Sequence, residues 1–152
     1  MLVILDSILN RIIANRKKGR QTFVFIDEIY ILFMHEYSAQ FLFKLWKRVR
    51  KYGAYCTGLT QNVEDLLQSH TARTMLSNSE FIIMLNQAAT DRDELAKLLN
   101  ISNQQISFIK NVSAGCGLIK VGSSLVPFEN NFPKSTKLYK LMTTKPNEIM
   151  NV

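Results

Sequence analysis

Thr22-Phe-Val-Phe-Ile-Asp27-Glu28 is a run of apolar, β-branched and aromatic residues that stops on two adjacent carboxylates. Such a run predicts a buried strand. Further along, Ala54-Tyr-Cys-Thr-Gly-Leu-Thr60 is a second apolar stretch, and it stops on Gln61-Asn62. Between the two lies an amphipathic pattern from about Glu36 to Lys51. Leu42, Leu45, Trp46 and Val49 form one stripe; Lys44, Lys47, Arg48 and Lys51 form the other. A strand, a crossover helix and a strand predict a parallel pair. Open α/β sheets bind ligands beyond the carboxyl ends of their strands. The spacing therefore predicts that Asp27, Glu28 and Gln61 meet at one sheet edge.

Working outward, Leu5, Ile8, Leu9, Ile12 and Ile13 repeat at helical spacing. They predict a helix over about 2–18, stopped by Arg16-Lys17-Lys18-Gly19. Residues 29–34 are apolar and ambiguous. Short helical turns are expected at 63–67 and 73–77, and a third parallel strand at 80–85. Thr90-Asp91-Arg-Asp93-Glu94 opens a helix to Leu99 with Thr90 as its cap. Ser102 caps another helix, over 102–109. Gly117–Val121 and Ser124–Phe128, joined by Gly122-Ser123, read as a β-hairpin, and Ser135–Leu141 as a last helix. The expected fold is α/β, a mostly parallel sheet with flanking helices and an antiparallel hairpin at its end.

With 152 residues and 47% hydrophobic content, the chain is long enough for one domain with a real core. The formal net charge of +7 suits nucleic acid or an anionic membrane surface without selecting either. Cys56 and Cys116 sit in apolar, strand-like contexts, as small buried thiols rather than a disulfide. No apolar run reaches the length of a membrane span. His35 and His70 are far apart in sequence and lack metal-ligand spacing.

Two strands delivering Asp-Glu and Gln to one edge is how P-loop NTPases hold Mg²⁺, activate water and sense a γ-phosphate. In that reading Asp27 holds Mg²⁺ through water, Glu28 polarises the attacking water, and Gln61 reaches the γ-phosphate. The bland alternatives are solvated acids at a strand end and a turn amide bonded to its own backbone. Arg50 falls beside Phe43 and Trp46 on an ideal helix, as either a pre-organised phosphate ligand or part of a solvated basic face. Arg73 and Arg92 flank the third strand as either fingers reaching a neighbouring subunit or surface cations at helix ends. The phosphate-cradling sequence G-x-x-x-x-G-K-[ST] does not occur in these residues.

Taken in order, these segments resemble the large ATPase of conjugative type IV secretion systems. This is the VirB-four, TraE and TraC type, in the FtsK/HerA-like branch of RecA-fold motors. The resemblance runs through Phe25-Ile-Asp27-Glu28, similar to a Walker B strand, and through Leu45-Trp-Lys-Arg-Val-Arg50-Lys51-Tyr-Gly53. It continues in Thr60-Gln61-Asn62-Val-Glu-Asp65, in Asn78 to Gln87, in Leu99-Asn-Ile-Ser102-Asn-Gln-Gln, in Gly115-Cys-Gly117-Leu-Ile and in Val126-Pro127-Phe. It implies that residues 1–152 are the C-terminal part of a RecA-like ATPase domain from Walker B onward, with a hairpin and helix appendage at about 110–145. It implies ATP and Mg²⁺ as cofactors in the complete protein, and self-association as a hexamer or dimer. It also implies partners among type IV secretion components and a peripheral position at the cytoplasmic face of the membrane. Walker A is the departure, so this chain alone is expected to hydrolyse little or no ATP. RecA-like sheets set the phosphate-loop strand between the strands expected here at 54–60 and 80–85. Those two are then expected to pair directly, to be covered by the 1–18 helix, or to pair between copies. A DNA-translocating FtsK/HerA-like motor and a non-catalytic RecA-like interaction module are the competing readings.

Overall fold

The computed structural model of the chain describes residues 2–130 and 132–143. Its first half is a helix–strand–helix–strand unit. Helix α1 (Leu2–Lys17) is followed by β1 (Thr22–Ile26) and a 3-10 turn (Ile29–Phe33). Then come α2 (Glu36–Arg48), a second 3-10 turn (Val49–Tyr52) and β2 (Ala54–Gly58). As the spacing predicts, β1 and β2 pair in parallel, with Thr22 opposite Ala54 and Ile26 opposite Gly58. Alternation along β1 turns Val24 and Ile26 inward. There they meet Ile12, Ile29, Leu42, Leu45, Val49 and Ala54. Ile12 and Leu42 are fully buried, and each contributes about 1.5–3 kcal/mol by leaving water. Arg16 at the end of α1 donates to the Lys51 carbonyl and lies 5.5 Å over the Tyr52 ring, tying α1 to the turn that enters β2.

The second half follows α3 (Val63–Gln68) and α4 (His70–Ser77). Strand β3 (Phe81–Met84) leads to α5 (Ala89–Leu99), α6 (Asn103–Ile106), a 3-10 turn (Ser107–Ile109), β4 (Cys116–Val121), β5 (Ser124–Glu129) and α7 (Lys137–Met142). A second core gathers Val63, Leu67, Met84, Leu95, Leu99, Ile101, Ile109 and Leu118. Helix α3 joins the halves, because Leu66 belongs to the first core while Val63 and Leu67 belong to the second. Ser102 caps α6 as expected, in a full capping box with Gln105. Helix α5 differs from expectation. It begins one residue before Thr90, and its cap is Ala88, without a side-chain bond.

The third strand corrects the sequence reading more substantially. β3 is not a third member of a parallel sheet; it pairs antiparallel with β4, which pairs antiparallel with β5. The described residues thus hold a two-stranded parallel sheet and a separate three-stranded antiparallel one. A short apolar run specifies a strand but not its partner, and here the hairpin strand β4 supplies β3 with its ladder. β2 and β3 are not bonded to each other, so direct pairing, one of the three outcomes expected, does not occur. Helix α1 packs on α2 and the Val49–Tyr52 turn.

Each sheet leaves one apolar face bare. On the first sheet Phe23 and Tyr55 stack at 5.1 Å, and Phe25 is 70% exposed. On the second, Phe81, Ile83 and Val126 are exposed. Parallel sheets are ordinarily covered on both faces. Both cysteines are free. Cys56 points into the first core, and burial pushes its thiol up to about 11, so it is neutral near pH 7.

Candidate active site

The carboxyl ends of β1 and β2 are locked by two backbone bonds beyond the ladder. Leu59 N–H donates to the Ile26 carbonyl at 2.8 Å, and Ile29 N–H donates to the Leu59 carbonyl at 2.9 Å. Ile29 is buried, and it lies on Gly58, where an added Cβ would stand 2.5 Å from Ile29 Cδ1. The chain therefore has to turn sharply between the strand and Ile29. Glu28 makes that turn, with φ 48° and ψ 50° in the left-handed region. A glutamate there costs on the order of 1 kcal/mol relative to its relaxed backbone. The surrounding bonds hold it in place, and non-glycine residues in this region gather at functional sites.

The turn brings the two predicted motifs together. Asp27 Oδ1 accepts the Glu28 N–H at 3.0 Å. Glu28 Oε2 accepts the backbone N–H of Gln61 at 3.4 Å. Glu28 is half-buried, whereas Asp27 and Gln61 are exposed. Gln61 is held from its far side as well. Thr60 Oγ1 accepts the Asn62 N–H at 3.1 Å, and Asn62 Oδ1 accepts the Asp65 N–H at 3.0 Å as the N-cap of α3. Thr60 and Asn62 thus fix the backbone on either side of Gln61. The spacing of Asn62 and Asp65 is a helix-start signal, and it carries this role.

The predicted arginines fare differently. Arg50 lies in the 3-10 turn Val49–Tyr52 that follows α2. Helix α2 gives way at Val49 to this turn, where the sequence predicts the helix to run on to Lys51. The cation over the Phe43 ring is Lys47, its Nζ 4.1 Å from the ring centre. Arg50 is exposed and, among the described residues, forms no ion pair. Arg73 is bound within its own chain, through Nε to the Leu67 carbonyl and through Nη2 to Glu94 at 3.4 Å. Arg92 is no surface cation: its side chain is 14% exposed, with Nε 3.9 Å from Asp93.

A family model for the TraG P-loop domain matches residues 1–116. The chain belongs to this family. That membership bears out the resemblance to the ATPases of type IV secretion, and it covers both strand ends described above. Among solved structures, VirB4 of Thermoanaerobacter pseudethanolicus is similar, with a TM-score of 0.69 at 22% identity over 90% of this chain. The likeness supports the RecA-like α/β fold. The chain spans 35% of that structure's length. No curated protein sequence matches the chain. The edge holding Asp27, Glu28 and Gln61 lies beyond the carboxyl ends of two parallel strands, where open α/β sheets bind ligands.

A divalent ion fits the donor set in one way. Among the described residues no three His, Cys, Asp or Glu side chains gather into a cage. A single carboxylate, with water and substrate phosphates completing the shell, suits Mg²⁺, which gives up its waters reluctantly. Asp27 satisfies this, because Oδ1 is taken by the Glu28 N–H while its exposed carboxylate still faces solvent.

Proposed function

We propose that this chain supplies the water-activating and phosphate-sensing half of an ATP site in a type IV secretion ATPase. The observation that carries the reading is the bond from the Gln61 N–H to the Glu28 carboxylate at the ends of two paired parallel strands. Asp27 would hold Mg²⁺ through water, and the ion would neutralise charge developing on the transferred phosphoryl group. Glu28 accepts the proton of the attacking water as its oxygen moves toward phosphorus. Gln61 orients that water or the γ-phosphate through its exposed side-chain amide.

The remaining half, including a phosphate loop and its lysine, comes from sequence outside these residues. The unjoined edges of β2 and β3 and the bare apolar faces support that reading, since unpaired edges and exposed aromatic surface recruit a covering element. In the complete protein the site works within a hexamer or dimer, beside other secretion components and peripheral to the cytoplasmic face of the membrane. Arg50, exposed and free of ion pairs among the described residues, is the arginine best suited to reach a neighbouring subunit's nucleotide. The inward packing of Arg92 and the internal bonds of Arg73 favour structural roles for both.

The test is ATP turnover. The 152-residue chain alone is expected to show none above background. In the complete polypeptide, Gln61→Ala is expected to lower turnover by about a hundredfold. Unchanged turnover in that variant removes Gln61 from the mechanism. Salt-dependent DNA binding by the complete protein, with turnover stimulated by DNA, would instead favour a DNA-translocating motor. A complete protein with no turnover at all would favour an interaction module.

A further inference from the structure

Residues 130–143 contain three lysines and no acid. Helix α7 lies in this stretch, opened by Thr136, whose hydroxyl accepts the Tyr139 N–H at 3.2 Å. At 100° per residue, Leu141, Leu138, Met142 and Tyr139 share one arc of α7, and Lys137 and Lys140 share the opposite one. The apolar arc is not packed away: Leu141 is 70% and Met142 72% exposed. Phe132 stacks on Tyr139 at 6.5 Å, and an apolar cavity of about 360 Å³ opens between Phe132, Leu138, Tyr139, Met142 and Thr143. Among the described residues, Lys137 and Lys140 form no ion pair.

We propose that α7 with Phe132 lies on an anionic phospholipid surface. The leucines and Met142 would enter the headgroup boundary, and Lys137 and Lys140 would meet lipid phosphates. A helix that carries apolar residues on one arc and lysines on the other suits an interface where one side is hydrocarbon and the other is wet and negative. Aromatic rings settle at the same depth, and the cavity beside Tyr139 offers an acyl chain room. Charge decides the occupant. A neutral apolar partner would leave the lysines unmet, while an anionic leaflet attracts each one. The apolar arc is short, so binding is reversible and needs both contributions. No helix among the described residues is long and apolar enough to cross a bilayer, so α7 lies on the surface rather than across it.

The proposal deepens the peripheral-membrane part of the reading above. Lipid binding is measured without nucleotide, so its failure leaves the ATPase reading standing. The experiment is co-sedimentation of the whole chain with phosphatidylcholine vesicles containing about a quarter phosphatidylglycerol, and with phosphatidylcholine alone. The chain is expected to pellet with the anionic vesicles and to stay in solution with the neutral ones. Replacing both lysines, as Lys137→Gln with Lys140→Gln, should weaken binding by about thirtyfold. Replacing both leucines, as Leu138→Gln with Leu141→Gln, should remove it while the circular dichroism of the fold is kept. Equal pelleting with neutral vesicles, or unchanged binding in the lysine variant, would overturn the proposal. So would light scattering in which these same substitutions disperse a self-associated form in the absence of lipid, which would make α7 a protein interface.

Discussion

Glu28→Gln in the complete ATPase is expected to bind nucleotide as well as the unsubstituted protein while turning it over about a hundred- to ten-thousandfold more slowly. The amide matches the carboxylate in size, and its oxygen can still accept the Gln61 N–H that Glu28 Oε2 accepts at 3.4 Å. The left-handed backbone at residue 28 is imposed by the burial of Ile29 on Gly58 and by the Ile29–Leu59 bond, neither of which involves the side chain. Fold and thermal midpoint are therefore expected to stay put. What disappears is the basicity: an amide oxygen cannot take a proton from water near neutral pH. Parallel measurements of nucleotide affinity and steady-state hydrolysis separate the two effects. Full turnover in the variant would show that Glu28 is not the base.

Gly117→Ala is expected to lower stability by about 3 kcal/mol and the thermal midpoint by roughly 10 °C. A Cβ at this position would stand 2.2 Å from the Met84 carbonyl oxygen and 3.0 Å from the Phe128 ring. The first neighbour is backbone and cannot rotate away. To admit the methyl group, β3 and β4 must separate beside Leu118, which is fully buried, and Met84, nearly so. The second core then loses contacts on both sides of the ladder. Gly122→Ala provides the control. It meets only Glu80 Oε1 at 3.8 Å and strains only its own φ of 57°, a cost of about 1–2 kcal/mol. Thermal unfolding of the 152-residue chain measures both, and equal midpoints for the two variants would contradict the close approach at Gly117.

The strand ends were the most legible part of this protein. Thr22–Ile26 and Ala54–Gly58 are short, apolar and separated by a full crossover helix, so their parallel pairing and the meeting of Glu28 with Gln61 follow from period and spacing. The capping box at Ser102 was equally plain, because a cap bond is local. Three features were not legible, each for a physical reason. The antiparallel partner of β3 depends on which ladder is available in space, and alternation along Phe81–Met84 is the same for either direction. The 3-10 turn that ends the helix before Arg50 is a change of pitch at Val49, which no single residue announces. The left-handed Glu28 arises from the burial of its neighbour on Gly58, a tertiary contact between residues from two strand ends.

In the proposed site Glu28 and Gln61 act on the same water. The most direct measurement is a structure of the complete ATPase with Mg²⁺, ADP and a planar phosphoryl-transfer mimic such as aluminium fluoride. The predicted result is the Glu28 carboxylate within about 2.6–3.2 Å of the water in line with the mimic, with the Gln61 amide bonded to that water or to an equatorial ligand. A Glu28 carboxylate that remains on the Gln61 N–H while another residue holds the in-line water would contradict it.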